Sequence, residues 1–307
     1  MKTSWFLSSI RFITFGMWLV AMSSNLPAQT SIVGKRTDWK PLVREGKCAE
    51  AQKLCEGWLS SGDTNLKVEG HKCLANVALS STSGVTLVAG DTGGGFIGEG
   101  YPEEAIDGAL KHLNEALKLA PQDLSIHQGR LHVLFIGSRF EAMPAALEES
   151  LHMYKGSAAD TWIEYSAQLF DGQQYRSGIV FLKVLERSFP NDHLVVGNLA
   201  AMYILLKEDE NAIAYLLRAV ELAPDDPIDT WNLARFYDVT EKIDLAERWY
   251  PMALSLDHDL DRKKENACLY ARFVGSKLKD PKRACEIQKN NGCEQTSCPQ
   301  AGNTAAK

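Results

Sequence analysis

The stretch from His193 to Leu260 decides the fold. HLVVGNLAAMYILLKEDENAIAYLLRAVELAPDD (193–226) runs directly into PIDTWNLARFYDVTEKIDLAERWYPMALSLDHDL (227–260). Laid over one another, these two 34-residue segments pair Leu199 with Leu233, Ala200 with Ala234, Tyr203 with Tyr237, Ala212 with Ala246, Leu216 with Tyr250, Ala219 with Ala253 and Leu222 with Leu256. Small residues meet small ones and large residues large ones, so this is an internal repeat. A unit of this length carrying two helical patterns cannot bury its apolar face alone, and copies must stack on one another.

Within one copy, Leu199, Ala200 and Tyr203 recur at the spacing of a single helical stripe, as do Ala212, Leu216, Ala219 and Val220 in the next segment. The small side chains of Ala200 and Ala212 let two antiparallel helix axes approach, while Tyr203 and Leu216 fill the space beside them. Pro224 then ends the second helix. This combination of small, large and proline positions resembles the tetratricopeptide repeat family. The resemblance extends over roughly Trp39 to Lys289 and is clearest from Ala159 to Leu260. It implies an all-α fold, a right-handed α-solenoid of stacked antiparallel helix pairs within residues 29–290, whose first helices line a concave side that binds another protein or peptide.

Working outward, Leu124 to Lys155 is a degenerate copy in which Met143 and Ser150 stand where alanine is usual, and Ala159 to Pro190 a better one. Trp39 to Leu59 is a short-fronted first copy, followed by a helix from Asn65 to Leu79 with Gly70 at the small position. A glycine-rich insertion over 80–100 breaks the period before a helix resumes at Pro102. The charged segments within 262–289 read as a capping helix pair, and 291–307 as a disordered tail.

Residues 1–28 read as a secretory signal: Lys2 and Arg11, an apolar run from Phe12 to Met22, then small residues up to Ala28. An uncleaved anchor starting at Trp5 is the alternative. The chain is expected to be exported, periplasmic or secreted, with no membrane association beyond that anchor. Removing Lys2 and Arg11 with the signal takes the formal charge from −6 to −8, which gives no general attraction for nucleic acid. Seven cysteines, all outside the signal, fit an oxidising compartment. Cys268 and Cys285 fall at similar heights on two antiparallel helices and could bridge, Cys293 and Cys298 could close a small loop, and Cys73 could pair with Cys48 or Cys55, leaving one thiol over.

Candidate chemistry is thin. The run Gly90 to Gly95 lacks the Gly-Lys-Ser/Thr of a phosphate loop. Asp257, Asp259 and Asp261 alternate like a calcium loop, but Arg262 and Cys268 stand where glycine and glutamate are required, so they read as caps and charges at a helix entry. His127 and His132 diverge on a helix. The sequence therefore predicts no enzyme, no metal and no cofactor.

Carried over from the resemblance, the residues lining the concave side are His132, Phe135 and Ile136, then Ile163 and Phe170, then Ile204 and Leu205, then Trp231 and Arg235, with Phe273 from the cap. This lining is apolar, and positions comparable to those of carboxylate-clamping repeats hold Ile163, Ala167 and Gly197 instead of bases. The expected function is a non-catalytic scaffold for an apolar or amphipathic segment of a partner protein. A structural subunit of a larger envelope assembly, held through the cysteine-rich ends, is the alternative, and an enzyme with its site near the 80–100 loop a third reading.

Overall fold

The computed structural model describes residues 38–83, 101–153, 159–294 and 298. The expected signal (1–28), most of the glycine-rich insertion and most of the tail lie outside the described residues. Fourteen α-helices and one short 3-10 turn account for the described secondary structure, with no strand among these residues. They divide into two compact units, one ending at Ser188 and one starting at Phe189.

The first unit holds α1 (Trp39–Arg44), α2 (Cys48–Leu59), α3 (Thr64–Ser83), α4 (Glu103–Leu119), α5 (Leu124–Ile136), α6 (Met143–Met153), α7 (Asp160–Asp171) and α8 (Tyr175–Ser188). Consecutive helices pack as pairs, and α5 also meets α7 while α6 meets α8, so like helices of successive pairs lie side by side. The second unit holds α9 (His193–Leu206), α10 (Asp209–Leu222), α11 (Pro227–Val239), α12 (Ile243–Leu256), α13 (Leu260–Ser276) and α14 (Pro281–Asn290), each packed on the next. The helix pairs of an α-solenoid are thus present in both units. One boundary differs from expectation: α3 continues through Ser80 to Ser83, residues assigned from sequence to the insertion.

The small positions behave as their spacing requires. Ala200, Ala212, Ala234 and Ala246 are all fully buried and lie in one apolar cluster with Leu216 and Tyr250. In the first unit Gly70 does the same work more tightly, because a Cβ there would stand 2.9 Å from the Cys55 carbonyl oxygen of α2. Only glycine allows that approach.

The turns repeat as strictly as the cores. Ser138, Gln173, Lys207 and Glu241 take left-handed backbone with φ of 54°, 58°, 60° and 60°, at intervals of 35, 34 and 34 residues. At each, two amides close the end of the preceding helix: Lys207 N donates to the Ile204 carbonyl (3.0 Å) and Glu208 N to that of Tyr203 (3.0 Å), as Glu241 and Lys242 do to Asp238 (3.1 Å) and Tyr237 (2.8 Å). This is a helix-ending motif that glycine usually occupies. Entry to α9, α11 and α13 is capped by an aspartate: Asp192 accepts from Val195 N, Asp226 from Ile228 N and Asp229 N, Asp259 from Asp261 N and Arg262 N. Asp257 is buried and gripped by Arg262 through Nε (2.9 Å) and Nη2 (2.7 Å), so the aspartate run caps and charges α13 as its spacing suggested.

The disulfides correct part of the expected pairing. Cys55 bridges Cys73, and Cys48 is the free thiol. At the other end Cys268 pairs with Cys293 and Cys285 with Cys298, not Cys268 with Cys285 and Cys293 with Cys298. The chain turns back after α14, carrying Cys293 to α13, so covalent attachment reaches 298, inside the expected tail.

Leu216→Ala should destabilise by roughly 2 to 5 kcal/mol and Ala212→Leu by about 1 to 3 kcal/mol in urea melts, because one empties the space between paired helices and the other overfills it. At Lys207 the backbone decides: Lys207→Val should cost about 1 kcal/mol or more and Lys207→Gly should not destabilise.

Candidate protein-binding faces

In the first unit the expected contact residues sit on α5 and α7. Ile126, Leu131 and Leu134 turn α5 into the core, leaving His132, Phe135 and Ile136 half-buried beside them. Phe135 rests 5.8 Å from the Phe140 ring, and Ile136 packs against the cluster around Ile106. Burial lowers the proton affinity of the His132 imidazole below its ordinary value. On α7, Trp162, Ser166 and Leu169 point inward, and Tyr165 donates its hydroxyl proton to the Gln128 carbonyl of α5 (3.0 Å), tying the two first helices together. Ile163 remains half-exposed.

Phe170 departs from expectation. It is 7% exposed and meets Tyr175 edge-on at 5.8 Å, so it belongs to the α7–α8 core.

Trp231 and Phe273 depart in the same way in the second unit, each only 3% exposed. The cause is Tyr250. It occupies the place that Leu216 holds in the preceding copy, and its larger ring is surrounded by Trp231 at 4.9 Å, Phe273 at 5.1 Å and Tyr270 at 5.4 Å. Its hydroxyl donates to Asp238 Oδ2 (2.9 Å), with the half-buried Arg235 also engaging it, and burial holds the phenol protonated well above the usual range. Trp231, Phe273 and Arg235 therefore build the second core rather than line an open surface. Ile204 and Leu205, at the end of α9, stay half-buried, together with Tyr203 and Leu206.

Two polar arrangements were not read from the sequence. Asp229, on α11, is 6% exposed and accepts a hydrogen bond from His193 Nδ1 of α9 (2.7 Å). Gly197 makes room for it, since a Cβ there would stand 3.0 Å from Asp229 Oδ1. A glycine inside an otherwise apolar helix was the available signal for that close approach. Burial, opposed by the His193 hydrogen bond and reinforced by the charge of Asp226, pushes the Asp229 carboxyl up to about 6. The second arrangement involves His127. It is buried in α5, with Nε2 at 2.8 Å from the Pro121 carbonyl and Nδ1 at 3.0 Å from Ser150 Oγ, which explains a serine at an alanine position.

These two histidines stand in structural hydrogen bonds. A cleft of about 680 Å³ opens beside His127 between α4, α5 and α6, but Arg130 and Glu149 on its wall are paired with each other and Lys118 is paired with Glu115.

The tetratricopeptide-repeat family pattern matches residues 195–226, which cover α9 from Val195 onward, α10 and the turn that follows. The chain carries a tetratricopeptide repeat. Among solved structures, pilF of Pseudomonas aeruginosa is 16% identical, covering 60% of this chain and 82% of its own with a TM-score of 0.42. MamA of Desulfovibrio magneticus RS-1 is 16% identical over 50% of this chain and 85% of its own, with a TM-score of 0.36. Human IFIT1, solved as a dimer with PPP-AAAA, is 16% identical over 80% of this chain and 55% of its own, with a TM-score of 0.41. No curated protein matches the sequence.

Asp229 gives the second unit a pH signature. Its folded pKa, about 6, lies above the unfolded value, so its contribution is fully present below about pH 4 and is lost as pH rises through 6, a change of about 2 to 3 kcal/mol. Hydrogen exchange on α11 amides, compared between wild type and Asp229→Asn, should show the wild type losing protection relative to the variant across that window. Parallel pH profiles would contradict it.

Proposed function

We propose that the chain is a non-catalytic scaffold that holds an apolar or amphipathic segment of another protein against the first helices of its repeats. The carrying observation is α9. Val195, Val196, Leu199, Ala200, Ala201 and Met202 are buried, and its last turn still presents Tyr203, Ile204, Leu205 and Leu206 half-exposed. A helix apolar on every side is adapted to being covered, and each large side chain removed from water contributes about 1.5 to 3 kcal/mol. In the first unit the same reading rests on His132, Phe135, Ile136 and Ile163. In the second it rests on Ile204 and Leu205, and Phe170 of the first unit and Trp231, Arg235 and Phe273 of the second no longer carry it. Tetratricopeptide folds as a class serve protein–protein interaction, and the reading makes this chain an instance.

Export is part of the proposal. Six of the seven cysteines are joined in three disulfides, which persist where the surroundings are oxidising. Among the described residues no helix is long and apolar enough to cross a membrane.

A photo-crosslinking residue placed at Ile163 or Ile204 should capture a partner in the native cell, whereas one at Val180 on α8, 54% exposed, should not. Phe135→Ala should weaken capture with an unchanged circular dichroism spectrum, while Trp231→Arg should unfold the second unit. Equal adducts at Val180 and Ile204, or none at either first-helix position, would remove the proposed face.

A further inference from the structure

His71 on α3 and His112 on α4 face each other across a helix pair with Nδ1 to Nδ1 at 3.1 Å and ring centroids 5.4 Å apart. Neither ring takes part in the proposed binding faces. Two imidazole nitrogens at this distance can share one proton, or both can direct lone pairs at one cation. The separation suits the second use. Two nitrogens at zinc-bond length in a tetrahedral site stand about 3.3 Å apart. Two cis nitrogens on a square-planar ion stand about 2.8 Å apart. The observed 3.1 Å falls between the two.

The surroundings resist a second proton on the pair. Burial lowers the proton affinity of both imidazoles, and for His112 the neighbouring His71 and Lys111 lower it further, so both nitrogens are available near neutrality. Glu115 acts electrostatically on both rings and Glu56 on His112, each favouring positive charge there. Glu115 lies one turn beyond His112 on the same helix, currently paired with Lys118 at 2.6 Å on the surface. The His71 backbone is fixed as well: Cys73, two residues on, is bridged to Cys55 of α2, and Gly70 holds α3 against that helix. The pair is thus set on two helices that pack along their length.

We propose that His71 and His112 form a two-imidazole chelate for a borderline divalent transition-metal ion, of which Zn²⁺ is the representative, clipping α3 to α4. Among the described residues no three His, Cys, Asp or Glu side chains converge on one point, so the protein supplies two nitrogens and water takes the remaining positions. Each ring must bind as the tautomer with its proton on Nε2. Binding therefore displaces the proton shared between the two Nδ1 atoms and weakens as the imidazoles become protonated in acid.

Zinc chloride titrated calorimetrically into the oxidised full chain near neutral pH should reveal one saturable site. Its affinity should fall about tenfold or more in His71→Gln and in His112→Gln, each losing one of two protein donors, and remain unchanged in His258→Gln, whose side chain is exposed elsewhere. The melting midpoint of the wild type should rise with zinc and return on adding EDTA. In the unaltered chain, the imidazole NMR signals of His71 and His112 should shift together on the first equivalent, which decides the matter even where a variant folds poorly. No saturable uptake, undiminished binding in either variant, or first-equivalent shifts confined to other histidines would each overturn the proposal.

Discussion

The structure depends on how closely two helix axes can approach. At Ala200 against Ala212, and again at Ala234 against Ala246, the side chains are methyl groups with no exposed surface, and everything larger is displaced to the flanks of those contacts. Close approach at one point fixes the crossing of a helix pair. Repeating it every 34 residues fixes the offset between pairs. The turns are consequences of the same constraint: a chain that must reverse within two or three residues adopts a left-handed residue at Lys207 and Glu241 whatever side chain stands there, because the two closing amide bonds compensate for the strain.

The earliest and latest described helices both carry covalent ties. The Cys55–Cys73 bridge joins α2 to α3, while Cys268–Cys293 and Cys285–Cys298 fasten α13, α14 and the segment beyond. Their loops span 18, 25 and 13 residues, and loop-closure entropy assigns each roughly 3 kcal/mol. That is comparable to the burial of one or two large side chains.

The strict part of the fold was legible because alanine, leucine and proline positions report packing directly. What the sequence hid has identifiable causes. A helix such as α11, with Trp231, Phe236 and Tyr237 distributed around it, cannot be oriented by its own period, and the residue that orients it is Tyr250, on another helix. Disulfide partners depended on the reversal of the chain after α14, which no spacing rule contains. The Asp229–His193 contact joins residues 36 apart and required knowing that Gly197 lies beneath the carboxylate. The end of α3 was placed early because Ser80 to Ser83 are weak helix formers that nonetheless continue the helix.

The two ends of α9 give the proposed face a direction. His193, Gly197, Ala201 and Ile204 recur at the four, four and three spacing of one helical stripe, and from His193 to Ile204 the helix rises about 16 Å, or three turns. One end of that stripe holds a buried carboxylate whose charge changes near pH 6, and the other a cluster of half-exposed aliphatic side chains. His193 and Gly197 commit the first end to α11, since the imidazole is already hydrogen-bonded to Asp229 and the glycine makes room for its carboxylate. At the other end Ile204 packs partly against the second core and Leu205 stays half-exposed, so what α9 would offer an occupant is apolar contact at its last turn and not along its whole length.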